Sequence, residues 1–325
     1  MMKAVVNDNY GTPDEFYIQE VPKPTCGDHE VLIKVKATSV NPLDRHILKG
    51  VLPARPVTGF FKPKNKVLGA DFSGVIEAVG KNVIRFNPGD EVFGANGSRT
   101  GLGAFAEYIA VHTNYIALKP ANISFEEAAA TPIAALTALQ GIRAGKVEKG
   151  HQVLVNGSSG GVGTYTVQLV KVLGAEVTAV CSQRNVNLVR SLGADTVISY
   201  NSEDYTKTGK FYHVIIDNVG NRIVEENRKV LNMKGRYILI GFTSLKLLFR
   251  FAFQSLWINR RNKQHYQMLD MEINSEDLEY LAKLMEEGKI ISVIDRFYAL
   301  GQMKEAMNYM IQGRARGKVV IKVNE

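Results

Sequence analysis

The chain has 325 residues, 45% of them hydrophobic and 22% charged, which is the balance of an ordinary globular protein long enough for two domains. It has no apolar run of the roughly 18 residues that a membrane helix needs, no signal-peptide pattern and only two cysteines, so we expect a cytoplasmic protein without a membrane span or a four-thiolate zinc site. The net charge of +8 is spread along the chain, which favours an anionic small molecule as ligand over a nucleic acid.

The first 120 residues are predicted to be rich in strands. Short apolar or alternating runs, such as EVLIKVKATSV, SGVIEAVG and AEYIAV, are separated by Gly, Pro and Asn. After residue 122 the pattern changes. The stretch SFEEAAATPIAALTALQGI predicts one helix, with Ser124 as its N-cap and acidic residues in its first turn.

From Gln152 onward, strands and helices alternate. The strands QVLVN, EVTAVC, TVISY, HVIIDNVG and GRYILIG are separated by predicted helices at 161–173, 185–192 and 221–231. Short apolar strands between helices of about ten residues predict βαβ units on a parallel sheet.

The last 80 residues continue with helices and one strand. The apolar segment 244–261, which has basic residues at intervals, predicts a helix against a partner subunit or the substrate cleft rather than one on a membrane surface. SEDLEYLAKLMEEGKI predicts an amphipathic helix capped by Ser275, GQMKEAMNYMIQG predicts another, and GKVVIKV predicts a closing strand.

The strongest local signal is the glycine-rich turn after the strand QVLVN. The turn and the start of the following helix contain Gly157, Ser158, Ser159, Gly160, Gly161, Val162 and Gly163. Glycine allows a tight turn and a close backbone approach to a pyrophosphate, and the helix N-terminus offers N–H groups to the phosphates. The segment therefore predicts dinucleotide binding.

The second strand of this unit ends in Cys181, Ser182, Gln183 and Arg184, without a carboxylate. An NAD site usually has an acid at this place to bind the ribose 2′-hydroxyl. A hydroxyl and a guanidinium suit a 2′-phosphate instead, so NADPH is the predicted cofactor. The alternative is that Arg184 is an exposed residue that only begins the next helix.

Motifs along the whole chain resemble those of one enzyme family. SVNPLDRHILKG, VLGADFSGVIEAVG, PGDEVFG, GAFAEYIAV, VLVNGSSGGVG, DNVG and GRARGKVVIKV occur in this order. Together they resemble the medium-chain dehydrogenase/reductase superfamily, in its zinc-free quinone oxidoreductase branch. The resemblance implies an α/β protein: a GroES-like β-rich catalytic domain (1–122, completed by 265–325) and a Rossmann NADP-binding domain (123–264) with a doubly wound parallel sheet. It also implies an active cleft between these domains and a homodimer.

The family's zinc-dependent members hold zinc with a cysteine, a His-Glu pair and a third distal ligand. The matching positions are Asn41 and Ala70 here, so only Asp44 and Asp71 remain, without His or Cys beside them. No metal is therefore predicted, and Asp71 is expected to accept hydrogen bonds that fix the floor of the cleft.

Without zinc there is no Lewis acid to polarise an alcohol, but a hydride can still reach an electron-poor acceptor. The resemblance therefore implies NADPH-dependent hydride transfer to a quinone or an α,β-unsaturated carbonyl. Two alternatives stay open: a low-turnover NADPH-binding sensor or nucleic-acid-binding protein, and an alcohol or aldehyde dehydrogenase.

The resemblance places Asn41 beside the nicotinamide and the substrate oxygen, although Asn41 could instead only complete the turn before Pro42. Asp44 is predicted to be a catalytic residue together with Asn41. Alternatively, Asp44 only anchors the loop or pairs with Arg45. His46 is either structural or a proton donor. Further cofactor contacts are expected at Thr137, Ser182, Arg184, Tyr200, Asn218, Gly241 and Phe242, and at one of Arg314, Arg316 and Lys318, for which Arg316 is chosen.

Overall fold

The computed structural model describes residues 1–51, 55–96, 103–261 and 263–323. Its strands are β1 (Met2–Val6), β2 (Tyr17–Val21), β3 (Glu30–Val40), β4 (Asp71–Val79), β5 (Glu91–Ala95), β6 (Tyr108–His112), β7 (Ile116–Leu118), β8 (Gln152–Asn156), β9 (Glu176–Cys181), β10 (Thr196–Ser199), β11 (Tyr212–Asp217), β12 (Leu231–Leu239), β13 (His265–Met268), β14 (Ile294–Ala299) and β15 (Lys318–Lys322). Its helices are α1 (Pro42–Leu48), α2 (Arg55–Thr58), α3 (Phe125–Ala129), α4 (Pro132–Ala144), α5 (Gly161–Val172), α6 (Val186–Ser191), α7 (Val224–Arg228), α8 (Leu245–Arg261), α9 (Ser275–Glu286) and α10 (Met303–Ile311).

The chain divides into two compact units. Unit 1 consists of Met1–Leu136 and Glu272–Glu325, and unit 2 consists of Thr137–Met271. The sequence predicts domain boundaries at 122/123 and 264/265, which stay a prediction. Of the two units, unit 1 contains α3 and unit 2 contains β13. The physical reasons are that α3 packs on β3 and β4, whereas β13 pairs with β12.

Unit 1 is built on a mainly antiparallel sheet. Among the described residues its strand order is β14-β15-β3-β4-β5-β7, with β6 pairing on β3 as well. Ser39 of β3 pairs with Asp71 of β4, and Val40 pairs with Val319 of β15. These registers bring together the end of β3 and the beginnings of β4 and β15. The sheet covers a core that includes Ile33, Phe72, Phe86, Phe105 and Ile116.

Unit 2 contains the parallel sheet that the sequence predicts. In the described residues its strand order is β10-β9-β8-β11-β12-β13, with every pairing parallel. Counted from β8, this is the order 3-2-1-4-5-6 of doubly wound dinucleotide-binding folds, in which ligands bind where the strand order reverses. That reversal lies between β8 and β11, so the turns after these strands are the expected binding edge. The predicted α/β fold class is confirmed.

Some sequence predictions were wrong in detail. The single helix expected from Ser124 is two helices, α3 and α4, with Ser124 as the N-cap of α3. The break precedes Pro132, because proline disfavours helical backbone at the residue before it. The N-cap of α9 is Asn274 rather than Ser275, since Asn274 Oδ1 accepts from Asp277 N at 2.8 Å.

The strands β2, β7, β13 and β14 were not predicted. Strands β7 and β13 have only three and four residues, β2 is largely exposed, and β14 has no fully buried residue, so the apolar alternation that identifies a strand is weak in them. Helix α8 forms at the place expected for the segment 244–261. Within the described residues, no helix is both long enough and apolar enough to cross a membrane.

Candidate active site

A buried carboxylate lies at the beginning of β4 in unit 1. Asp71 is fully buried. Its Oδ2 accepts from Ser39 Oγ at 2.7 Å, Asn41 Nδ2 at 2.9 Å and Lys318 Nζ at 3.0 Å, and its Oδ1 accepts from Ile133 N at 2.8 Å. The prediction that Asp71 accepts hydrogen bonds is therefore confirmed. Because these partners come from three separate segments, Asp71 connects its own strand β4 with the end of β3, with α4 and with β15.

The cation of this cluster is Lys318, which by sequence belongs with the basic residues Arg314 and Arg316 of the preceding turn. Lys318 is buried at the beginning of β15, and its Nζ donates to Asp71 Oδ2 at 3.0 Å and to Asn41 Oδ1 at 2.5 Å. A charge removed from water is tolerated only when it is paired and hydrogen-bonded. The predicted burial of Asp71 therefore already indicated that a buried cation lies beside it.

The side-chain amide of Asn41 is held in one orientation. Asn41 is the buried N-cap of α1, and its Oδ1 and Nδ2 contact Lys318 and Asp71 respectively. An ammonium only donates and a carboxylate only accepts, so the two partners fix which end of the amide is oxygen. One Nδ2 hydrogen is engaged by Asp71, and the same nitrogen carries a second.

Asp44 is a buried carboxyl beneath Asn41. Its Oδ2 accepts from Asn41 N at 2.7 Å, which anchors the beginning of α1 as one of its two expected roles requires. Within the described residues Asp44 Oδ1 has no hydrogen-bond partner, and neither has Arg45 Nε, so the expected pairing with Arg45 is not formed. Burial raises the pKa of Asp44 to about 7, helped by the Asp71 charge and opposed by the Asn41 N–H and Lys318.

Asp44 gives unfolding a pH dependence. The native carboxyl has a pKa of about 7 against 3.8 for the ordinary group, so between these values the native state binds more protons than the unfolded state. The free energy of unfolding therefore falls as pH rises through this window, by up to about 4 kcal/mol. Asp44→Asn keeps an oxygen for Asn41 N but does not titrate. We expect its stability relative to wild type to rise between about pH 5 and about pH 8 in urea titrations.

The control for this prediction is Asp195→Asn. Hydrogen bonds from Lys171 and Val177 N hold the pKa of Asp195 below its ordinary value despite partial burial, so this carboxyl is ionised throughout the same window. Its substitution should change the free energy of unfolding by the same amount at about pH 5 and at about pH 8. If the difference in free energy of unfolding between Asp44→Asn and the wild type also stays constant over this range, Asp44 is ionised in the native state.

His46 is less suited to donate a proton than the sequence allowed. Burial lowers the pKa of His46, and the charges of Arg45 and Lys49 lower it further. The imidazole is therefore neutral at pH 7, which favours the structural role.

The glycine-rich turn of unit 2 has the geometry of a phosphate site. Gly157 has a φ of +76°, and a Cβ on Gly163 would lie 2.1 Å from Gly157 O. Ser158 Oγ donates to Val180 O at 2.9 Å, and Ser159 Oγ accepts from Asn185 Nδ2 at 2.8 Å. Helix α5 begins after Gly160, so the N–H groups of Gly161, Val162 and Gly163 have no acceptor one turn earlier in the helix. These groups are suited to bind an anion.

The ends of β9 and β10 carry hydroxyls that lack partners. Ser182 Oγ and Ser199 Oγ are buried atoms without a hydrogen-bond partner in the described part of the chain. Ser199 pairs with Cys181, so the two serines lie at the same ends of adjacent parallel strands. A buried polar group without a partner is costly unless a ligand completes it. Arg184 and Tyr200 follow these serines and are exposed, so this end of the sheet carries hydroxyls and a cation. Ser199 was not predicted, because its place emerges only from the strand pairing.

The ends of β8, β11 and β12 are locked together by Asp217, which the sequence analysis did not single out. This buried carboxylate accepts from Asn156 Nδ2 at 2.9 Å, Gly220 N at 2.8 Å and Tyr237 Oη at 2.5 Å. Burial raises the pKa of Tyr237 well above its ordinary value, so the phenol keeps the proton that it donates.

The predicted residue Asn218 lies on this rigid edge of the sheet. Its Nδ2 donates to Asn156 O at 3.0 Å, whereas its buried Oδ1 has no partner among the described residues. A Cβ on Gly241 would lie 2.2 Å from Asn218 O, so glycine is required there for the two turns to approach. The free acceptor and the close turns fit a ligand that contacts the sheet edge.

The other predicted contacts are not decided by the geometry. Thr137 is buried in α4, Phe242 is half-buried after β12, and Arg316 is exposed with its N–H donating to Asp295 Oδ2 at 3.0 Å. Their cofactor roles stay predictions. In the described ranges no three His, Cys, Asp or Glu side chains come together as metal ligands, and the zinc-free site also stays a prediction.

Comparison with known proteins agrees with this architecture. Residues 27–121 match the family model of the alcohol dehydrogenase GroES-like domain, and residues 192–321 match that of the zinc-binding dehydrogenase. The chain is 34% identical to a chloroplastic quinone-oxidoreductase of Triphysaria versicolor, over 99% of this chain and 98% of the relative. It is 33% identical to a chloroplastic NADPH-dependent alkenal/one oxidoreductase of Arabidopsis thaliana, over 98% of this chain and 79% of the relative.

A solved structure shows the same fold. The quinone oxidoreductase from Coxiella burnetii is similar with a TM-score of 0.87 and 30% identity, covering 99% of each chain.

Proposed function

Since the chain belongs to the medium-chain dehydrogenase/reductase superfamily, in its quinone oxidoreductase branch, we propose that it transfers hydride from NADPH to a quinone or an α,β-unsaturated carbonyl without a metal. The observation that carries this proposal is the turn after β8, where Gly157 and Gly163 leave no room for a Cβ and α5 offers its N-terminus. The names of the relatives supply the acceptor class, because quinones and alkenals both contain a carbonyl conjugated to a double bond.

The choice of NADPH over NADH rests on the ends of β9 and β10. Ser182 Oγ and Ser199 Oγ lack partners within the described ranges, and Arg184 follows on the exposed side. A 2′-phosphate accepts hydrogen bonds from all three groups, and the guanidinium binds it in a charge-assisted manner. The 2′-hydroxyl of NADH is neutral, so it would not form the charge-assisted hydrogen bond that the guanidinium forms with a phosphate.

When bound, reduced nicotinamide supplies a hydride to the conjugated system of the acceptor. The role that we assign to Asn41 is to donate its second Nδ2 hydrogen to the acceptor oxygen as negative charge develops there. Lys318 and Asp71 already fix this amide, so little reorganisation is needed when it donates. Asp44 positions Asn41 through its backbone N–H. A proton from solvent completes the reduction.

The test follows nicotinamide absorbance during the oxidation of NADPH with quinones, enones, saturated aldehydes and ketones. The reverse reaction is tested with NADP⁺ and alcohols. We expect turnover with quinones or enones only. Tight NADPH binding without turnover would favour a sensor, and turnover of saturated alcohols would favour an alcohol dehydrogenase. The cytoplasmic location and the homodimer are part of the same proposal.

Arg184→Glu should change the cofactor preference. The variant replaces a charge-assisted hydrogen bond to the 2′-phosphate with repulsion, so the ratio of kcat/KM for NADPH to that for NADH should fall by about 10- to 100-fold. Arg190→Glu, the same charge change on the exposed side of α6, is the matched control. An unchanged ratio in Arg184→Glu would remove Arg184 from the cofactor site.

A further inference from the structure

Helix α8 presents a large apolar face to solvent. Its exposed apolar side chains are Leu245 (57%), Phe249 (70%), Phe253 (78%), Leu256 (63%) and Trp257 (50%). Their spacing places them on one side of the helix, because residues three, four, seven and eight apart share a face. The opposite side anchors α8, since Phe251 and Ile258 are buried in the core of unit 2. The exposed face is therefore not needed to attach the helix.

The same face is basic. Lys246, Arg250 and Arg260 are exposed, and at roughly 100° per residue all three fall on the side of Phe249 and Phe253. Helix α8 contains no Asp or Glu. The acid that faces it from a neighbouring element is Glu225 of α7, whose Oε1 lies 3.1 Å from Arg250 Nη2. Among the described residues, Lys246 and Arg260 have no acidic partner, and they lie on the same side of the helix as Phe249 and Phe253.

The sequence pattern favours a partner subunit or the substrate cleft for this helix, but from its exposed face we propose instead that α8 docks this protein on the surface of an anionic lipid bilayer. Phe, Trp and Leu on one face with Lys and Arg beside them is the pattern of a helix that lies in the membrane interface, where the apolar side chains enter the headgroup region and the cations bind anionic lipids. Trp257 suits that depth, because its ring is apolar with one polar N–H. In this arrangement α8 lies on the bilayer surface and does not cross it.

A second copy of the chain fits this face less well. In a two-fold contact the patch meets the same patch of a second copy, so the cations of one copy would lie against the cations of the other. The helix has no acid of its own to pair with them. A ridge of aromatic side chains on a single helix also needs no complementary pocket in a fluid bilayer.

Trp257 reports on the proposal directly, because it is the only tryptophan of the chain. The full protein is mixed with vesicles of phosphatidylcholine alone or with added phosphatidylserine. With phosphatidylserine we expect co-sedimentation, a blue shift of tryptophan emission and quenching by brominated lipid, all reduced by salt. Absence of the shift and of co-sedimentation would overturn the proposal.

Two variants identify the groups responsible. Phe249→Ser with Phe253→Ser should lower partitioning into phosphatidylserine vesicles by about 10-fold or more, while the melting temperature and NADPH affinity stay unchanged. Lys246→Glu with Arg260→Glu should abolish the preference for phosphatidylserine. Ile84→Ser with Met233→Ser removes exposed apolar side chains outside α8 and is the matched control. An equal loss in this control would mean nonspecific adhesion and overturn the assignment to α8.

Two other occupants of the face give different results. If a second copy covers it, the emission shift and dimerisation appear without lipid as protein concentration rises, and the double Phe variant loses both. If the face serves the acceptor site, that variant changes kcat/KM for a water-soluble quinone without changing vesicle partitioning. Either result overturns the lipid proposal and leaves the proposed reductase activity intact.

Discussion

Lys318→Met is expected to lower the free energy of unfolding by about 3–5 kcal/mol, because it leaves the Asp71 carboxylate buried without its cation. Lys318 Nζ is the ammonium donor in a cluster whose other donors to Asp71 are neutral. Methionine is similar in length and apolar, so little of the loss should come from packing. Urea titrations of the wild type and the variant measure the effect.

The double variant separates charge from packing. Adding Asp71→Asn to Lys318→Met removes the unpaired charge, so the pair should cost less than the sum of the single changes, by about 1–3 kcal/mol. Lys322→Met is the matched control on the same strand: its ion pair with Glu126 at 3.4 Å is partly exposed and should be worth at most about 1 kcal/mol. If Lys318→Met costs no more than Lys322→Met, the buried pair does not hold this part of unit 1 together.

The sequence predicted the local parts of this cluster and not its assembly. Asn41 was identified through the family resemblance, and Asp71 was noticed as an acid in an apolar run and compared with the zinc site through the same resemblance. Lys318 is 247 residues from Asp71 in the chain and meets it only because β15 pairs with β3. The strand β14, which pairs with β15, was itself missed, so no sequence pattern placed this edge of the sheet.

The nucleotide-binding unit was more predictable, because its signals are local. Strand β8, its glycine turn and α5 are consecutive in the chain, and their bounds differ from the expected ones by about one residue. Ser199 and Asp217 were not identified, since their roles depend on which strands are neighbours. Sequence reasoning therefore found the groups that follow a strand directly and missed those contributed by an adjacent strand.

Gly163→Ala is expected to weaken NADPH binding by about 10- to 100-fold. Its Cβ would lie 2.1 Å from Gly157 O and 2.7 Å from Ser158 Cα, both backbone atoms, so the turn itself must move. Such overpacking typically costs about 1–3 kcal/mol, and here the displaced atoms belong to the loop proposed to hold the phosphates. In a helix alanine is more favourable than glycine by about 1 kcal/mol. A lower stability of Gly163→Ala would therefore be caused by the contact of the new Cβ with Gly157 O and Ser158 Cα.

Gly160→Ala is the matched control, because the nearest atom to its Cβ is Gly157 O at 3.7 Å, an ordinary contact. Gly160 has a φ of −84°, which alanine adopts without strain. The same substitution, three residues earlier in the same loop, should therefore change NADPH affinity only a few-fold. Equilibrium titration of both variants, with circular dichroism to verify folding, measures the difference. Equal affinities for Gly163→Ala and the wild type would place the phosphates elsewhere, whereas equal losses in both variants would mean that the loop binds through groups other than the close Gly157–Gly163 approach.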